Sequence, residues 1–201
     1  MSFMISRLKK LRKYNLILAS RSPRRQMLMD GLDLSFEIKV KNVKEIYPED
    51  MHYEEVPIFL SKLKAESFDR TKLVKTDIVI TADTIVVLDG KVIGKPKSKA
   101  EAKRILSSLS GNKHKVITGV CLTSAKKQTT FSSTSEVYFR EINSQDIDYY
   151  VEEYRPFDKA GAYGIQEWIG YIGIEKIEGS FYNVMGLPTQ LLYEELLSFT
   201  S

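Results

Sequence analysis

Cysteine is all but missing from this chain: Cys121 stands alone among 201 residues. One thiol cannot close an intramolecular disulfide, so the sequence reads as a protein of a reducing compartment, the cytoplasm. Histidine is nearly as scarce. His52 and His114 have no ligand partner at metal spacing, and Cys121 falls inside a predicted strand, which speaks against zinc sites and Cys–His catalysis. His52 reads as a surface residue and His114 as a strand-edge residue. No apolar run approaches the roughly 20 residues of a membrane span, and the apolar stretch at 16–19 is too short for a signal-peptide core. No G-x-G-x-x-G occurs, so a dinucleotide fold lacks its fingerprint. The run Gly90-Lys91-Val92-Ile93-Gly94-Lys95-Pro96 imitates a Walker A loop. It is one residue short, and proline stands where Ser or Thr must hold magnesium.

The charge is nearly balanced. Thirty bases face 26 acids, for a net charge of +4. Arg7, Lys9, Lys10, Arg12 and Lys13 supply the excess, so residues 1–14 read as a basic extension. The body from 15 to 201 is near neutral and reads as one domain. That is not the surface of a nucleic-acid-binding domain, and neither nucleic acid nor membrane is an expected partner.

Strand and helix signals alternate along the chain. Residues 16–19 read as a buried strand. Ser22-Pro23 then opens a helix with serine at the N-cap and proline at the first helical position, and Gly31 ends it. Strands are predicted at 36–40, 78–80 and 85–88. Asp89-Gly90 turns a hairpin back through 91–93, and further strands lie at 116–123 and 134–139. Helices are predicted at 54–68, 98–109 and 144–154, with a last one opening at Leu187-Pro188. Residues 161–179 read as glycine-rich and irregular, with a strand at 172–177. Together these give an α/β chain with a mixed sheet.

Three segments carry candidate chemistry. Ser20-Arg21-Ser22-Pro23-Arg24-Arg25 lies between a strand and a helix. Two arginines in a first helical turn oppose the helix dipole, which makes sense if an anion such as a phosphate chain binds there; two solvated arginines are the plainer reading. Asp83 interrupts a β-rich stretch although aspartate is depleted in strands. A carboxylate at such a break can face a cleft and hold a metal or deprotonate water, or can be a turn aspartate bonded to local backbone. In Ala160-Gly161-Ala162-Tyr163-Gly164-Ile165-Gln166, small residues permit close approach of a ligand. Gln166 offers an amide donor and acceptor to a base edge; a packing turn fits equally. Lys64 borders the apolar stripe of its helix, reaching a cleft or snorkelling to water. Lys95 can cap a phosphate or sit solvated in its turn, and Glu45 reads as a surface residue.

Taken together, Leu18-Ala19-Ser20-Arg21-Ser22-Pro23-Arg24-Arg25, Ala82-Asp83-Thr84, Gly94-Lys95-Pro96, Leu109-Ser110-Gly111, the 158–166 segment and the 179–188 segment resemble the Maf family of nucleoside triphosphate pyrophosphatases, in the family's order. The resemblance implies an elongated mixed sheet with flanking helices, two lobes around a central cleft, similar to inosine triphosphate pyrophosphatases. It implies hydrolysis of a nucleoside triphosphate to the monophosphate and pyrophosphate with a divalent metal, Mg²⁺ or Mn²⁺. Asp83 would then be the general base. Ser20, Arg25, Lys64 and Lys95 would line the phosphate site, and Glu45 would assist metal or water, sharing the metal with Asp83. Arg24, Thr84 and Gln166 match the positions that set base choice, in the form that resembles the branch acting on dTTP and UTP. A homodimer is also implied. Three positions depart from the pattern: Thr81 and Glu167 stand where glycine is expected, and Lys44 where an acid is common. The alternative reading is a catalytically idle nucleotide- or nucleic-acid-binding regulator of cell division.

Overall fold

The computed structural model describes residues 2–201; Met1, the first residue of the expected basic extension, lies outside them. In chain order the elements are α1 (Ser2–Leu11), β1 (Asn15–Leu18), α2 (Pro23–Asp30), β2 (Phe36–Ile38), α3 (Val56–Glu66), β3 (Asp77–Leu88), β4 (Lys91–Ile93) and α4 (Lys99–Leu109). There follow β5 (Lys113–Thr123), β6 (Gln128–Phe139), α5 (Ser144–Tyr154), α6 (Trp168–Gly173), β7 (Ile174–Glu178), α7 (Phe181–Met185) and α8 (Thr189–Phe199). The strands form one sheet in the order β2-β1-β3-β5-β6-β7, with β4 on β3. β1 is parallel to both β2 and β3, whereas β4 on β3 and β7 on β6 are antiparallel. The fold is therefore α/β with a mixed sheet and flanking helices, as the alternation of signals predicts.

The chain divides into two compact units. One runs to Asp83 and adds Thr118–Ser133 and Gly186–Ser201; the other comprises Thr84–Ile117 and Thr134–Met185.

In the first unit, β1 lies between β2 and β3, and its register with β3 runs from Asn15 opposite Asp77 to Leu18 opposite Ile80. The chain leaves β1 through α2 toward β2, then crosses through α3 to β3 on the other side. Strand order thus reverses beside β1, and the carboxyl ends of the parallel strands at such a reversal are where open α/β sheets bind ligands. Ala19 N–H still donates to the Ile80 carbonyl at 2.9 Å. Beyond it β1 has ended while β3 continues, so the Ala82 carbonyl has no β1 strand beside it and takes its donors from side chains.

α3 is seated on the sheet by an absent side chain. A Cβ on Gly119 of β5 would lie 2.3–2.4 Å from the Pro57 and Ile58 backbone, so only glycine lets the helix approach this closely. Thr81 reinforces the seat. Its fully buried hydroxyl donates to the Ser61 carbonyl at 2.7 Å, tying β3 to α3 at a position where glycine was expected. α1 meets the end of the chain: Lys10 Nζ bonds Ser201 Oγ at 2.9 Å and Tyr14 O–H bonds the Thr200 carbonyl at 3.4 Å.

In the second unit the expected hairpin forms, with Asp89 (φ 49°) and Gly90 (φ 75°) both left-handed as a tight two-residue turn requires. Ser98 and Asn143 cap α4 and α5 by accepting from the Glu101 and Asp146 amides. His114 is buried in β5 rather than lying at an edge. Its Nε2 is 2.8 Å from the Tyr163 hydroxyl, and its ring packs edge-on against Phe139 and Tyr163.

Two further expectations need correction. The break placed between 80 and 85 does not exist: β3 is one 12-residue strand with Asp83 inside it. Its polar residues are tolerated because Thr81 is bonded to α3 and Asp83 is ion-paired, so no turn is needed to satisfy them. The segment 161–179 also holds a helix, α6, and the following strand starts at Ile174. Five- and six-residue helices such as α7 and α6 are too short to show a helical period.

Candidate active site

Ser20, Arg24, Arg25, Glu45, Lys64 and Asp83 all belong to the first unit, where β1 gives way to α2. Ser22 caps α2 as expected, its Oγ accepting from the Arg25 amide at 3.5 Å, and the buried Ser20 Oγ accepts from the Ser22 amide at 3.2 Å. Gln26 Nε2 holds the Ser20 carbonyl at 3.3 Å. This nested turn starts the helix and places Arg24 and Arg25 in its first turn, which contains no acid.

Arg25 reaches back to the sheet. Its Nε donates to the Gly186 carbonyl at 2.8 Å and its Nη1 to the Ala82 carbonyl at 2.9 Å. One guanidinium thus joins α2, the middle of β3 and the turn before α8, using two donors of a rigid fork. Burial depresses its pKa, Asp83 opposes that, Arg24 adds to the depression and Glu45 again opposes it. The cation is held in a partly dehydrated place by nearby carboxylates.

Lys64, from the last turn of α3, neither snorkels to water nor stays within its helix. Its Nζ lies 2.6 Å from Asp83 Oδ1, 3.1 Å from Glu45 Oε1 and 3.4 Å from the Ala82 carbonyl. Asp83 is buried, while Glu45 comes from the exposed polar loop before α3. Two carboxylates from separate segments therefore converge on one cationic atom.

That convergence is the test for a divalent metal. Among the described residues no group of three or more His, Cys, Asp or Glu is placed to hold one. Two hard oxygen donors directed at one cation nevertheless fit Mg²⁺ or Mn²⁺, which are held by one or two carboxylates with substrate phosphates and water completing the shell.

Thr84, Lys95 and Gln166 belong to the second unit. Thr84 is half-buried in β3, Lys95 is exposed after β4, and the Gly161 amide donates to the Gly94 carbonyl at 3.3 Å beside Lys95. Gln166 sits in the turn before α6, and its side-chain Oε1 is buried without a hydrogen-bond partner.

Sequence reasoning passed over several residues that shape these places. Gly186 has no side chain to signal a role, yet its carbonyl anchors Arg25. The Ala82 carbonyl gathers Arg25 and Lys64, and a backbone acceptor leaves no mark in sequence. Tyr150 and Lys159 meet Glu167, whose departure from glycine the sequence did mark, in a largely buried polar group next to Gln166 along the chain.

Comparison with known proteins places these features in company. The family described as Maf-like protein matches residues 15–199. A dTTP/UTP pyrophosphatase of Porphyromonas gingivalis W83 is 51% identical over 192 residues, covering 94% of this chain and 96% of that protein. Proteins of the same description from Phocaeicola vulgatus and Christiangramia forsetii are each 50% identical, covering 94% and 92% of this chain and 98% and 94% of their own. Among solved structures, the Staphylococcus aureus Ham1 protein aligns with a TM-score of 0.40 at 17% identity, over 62% of this chain and 71% of that one.

Proposed function

The chain belongs to the Maf-like protein family, and from that premise we propose that it hydrolyses nucleoside triphosphates, dTTP and UTP foremost, to the monophosphate and pyrophosphate. The observation that carries the reading is the grouping of Asp83, Lys64 and Arg25 midway along β3, just past the carboxyl end of β1 and beside the arginine-bearing start of α2. The relatives' shared description supplies the substrate class.

Asp83 is the proposed general base. An aspartate is ionised at neutral pH, and Lys64 fixes the carboxylate through Oδ1. A water bound there loses its proton to that carboxylate as its oxygen bonds to phosphorus. The P–O bond between the α and β phosphates breaks, and pyrophosphate departs. Arg25, with the positive end of the α2 dipole, opposes the charge gathering on the leaving group. Ser20 holds the turn that presents it. Lys95 is assigned to the same anionic tail.

Asp83 and Glu45 would hold the divalent cation, which supplies charge neutralisation on the phosphates and a more acidic bound water. Lys64 then serves as the companion cation of that carboxylate pair.

Gln166, with Arg24 and Thr84, is assigned to base choice. A buried amide oxygen without a partner is costly, and it is satisfied by a donor such as the imide N–H of thymine or uracil. Both bases carry that N–H and differ only by a methyl group at C5, away from that edge, which suits a site taking dTTP and UTP. Cytosine has an acceptor at the same ring position. The cytoplasm and a homodimer complete the proposed reading, the first because Cys121 is a free, buried thiol. Among the described residues no helix is long and apolar enough to cross a membrane.

The decisive experiment incubates the purified chain with dTTP, UTP, CTP, ATP and GTP in Mg²⁺ and identifies the products. Pyrophosphate with dTMP or UMP, and much slower turnover of the other three, is the expected result. Release of orthophosphate, or tight nucleotide binding without turnover, would discard the reading in favour of another hydrolase or an idle binder.

A further inference from the structure

Glu167 follows Gln166 directly, at a position where the family pattern has glycine, and the structure gives its carboxylate a purpose. Oε1 lies 3.0 Å from Lys159 Nζ, and the Tyr150 hydroxyl donates to Oε2. The Tyr150 oxygen in turn accepts from the Gly164 amide at 3.1 Å. Tyr150 is fully buried in α5 and the Lys159 side chain is only 8% exposed. The chain closes on itself: Gly164 N–H to Tyr150, Tyr150 to Glu167, and Glu167 N–H back to the Gly164 carbonyl at 2.9 Å. Gln166 lies inside that ring.

The packing around the ring is equally tight. A Cβ on Gly164 would come within 2.7 Å of the Glu167 side chain, and one on Gly170 within 2.0 Å of the Ile165 carbonyl. Two close approaches fix the turn from either side. In this turn the Gln166 oxygen is buried.

We infer that Glu167 is a positioning residue for base selection: clamped by Lys159 and Tyr150, it fixes the 164–167 turn and so pre-sets the Gln166 amide for a pyrimidine imide edge. The inference rests on the assignment of Gln166 to the base. An unclamped glutamine samples several rotamers, and its ordering would then be charged against substrate binding. Loss of the clamp therefore acts on KM and on discrimination more than on the chemical step.

Two variants test this. Tyr150→Phe removes one oxygen and keeps the ring, and Glu167→Ala removes the carboxylate; thermal melts establish that each is folded. In both, exchange of the Gly164 amide should accelerate about tenfold or more. KM for dTTP should rise about tenfold, kcat should change less, and the preference for dTTP over CTP should shrink. The double variant should be no worse than Glu167→Ala alone, since the two residues act as one clamp. Unchanged Gly164 exchange and unchanged KM in Tyr150→Phe overturn the inference. Gln166→Ala, measured alongside, separates the two ideas. Preference lost there but retained in Tyr150→Phe and Glu167→Ala overturns the clamp alone. Preference retained in Gln166→Ala overturns the base assignment and the clamp's selective role with it.

Discussion

Lys64 Nζ lies 2.6 Å from Asp83 Oδ1 and 3.1 Å from Glu45 Oε1, so one ammonium spans a carboxylate from the middle of a strand and one from a surface loop. Neither carboxylate is costly while that cation is present. The Lys64 and Asp83 side chains are only 16% and 11% exposed, and a charge left there alone would be penalised.

Lys64→Met should therefore destabilise the protein by about 2 kcal/mol, below the ~3–5 kcal/mol of a fully buried pair because Glu45 is half-exposed. Mg²⁺ should raise the melting temperature of this variant more than that of the wild type, since a divalent cation can take the place of the ammonium. Melts with and without Mg²⁺ measure both effects, and an equal metal effect in the two proteins would mean the carboxylates do not share a cation site.

Asp83→Asn preserves size and leaves Lys64 with Glu45. Loss of a general base lowers rate by about 10²–10⁴, so kcat for dTTP should fall by at least about a hundredfold while the melting temperature changes little. Turnover within tenfold of wild type would remove Asp83 from the chemistry.

Arg25→Lys tests geometry against charge. An ammonium cannot reproduce the fork that meets the Ala82 and Gly186 carbonyls together, so the lysine variant should lose activity nearly as fully as Arg25→Ala. Steady-state kinetics on both variants decide it: recovery of most of the activity by lysine would leave Arg25 as a simple positive charge.

Gly119→Ala places a methyl group against the α3 backbone, which cannot give way as a flexible side chain would. Overpacking costs typically about 1–3 kcal/mol, and this site should lie at the upper end. Activity should fall as well, because α3 carries Lys64. Urea denaturation and a dTTP assay check the pair; a variant as stable as wild type would show that α3 can shift freely.

His114 gives the fold a pH dependence. Burial pushes its pKa down to about 4, so the folded state holds it neutral, and the unfolded chain with a pKa near 6.5 binds the additional proton. Stability is thus fully present above about pH 6.5 and declines as pH falls from there to about pH 4, by about 3 kcal/mol at most. Unfolding free energies measured across this window should be flatter in His114→Leu by close to one proton. An identical slope in the two proteins would assign the acid sensitivity elsewhere.

Local chemistry was readable directly. Ser22-Pro23 announced the start of α2 and Asp89-Gly90 the hairpin, since each depends on neighbours within a few residues. Asp83 was visible because aspartate in a β-rich stretch is out of place, although the expected break was not there: from α3, Lys64 pairs with Asp83 and the Ser61 carbonyl accepts from Thr81, so the strand stays continuous. The two shortest helices were invisible, having too few residues to show a period.

What the sequence by itself determined was therefore the inventory: an alternating α/β chain, its caps and turns, and the residue types able to meet a phosphate chain and a base. Only the tertiary structure decided who meets whom. Lys64, Glu45, Arg25 and the Gly186 carbonyl come from four separate segments, and the parallel order β2-β1-β3 with α3 pressed onto Gly119 brings them to the middle of β3, past the end of β1. The same holds for the clamp on Gln166, where Tyr150 lies in another helix. Hydrogen bonds and ion pairs act over a few ångströms, whereas the distance between partners along the chain leaves no periodic trace in composition.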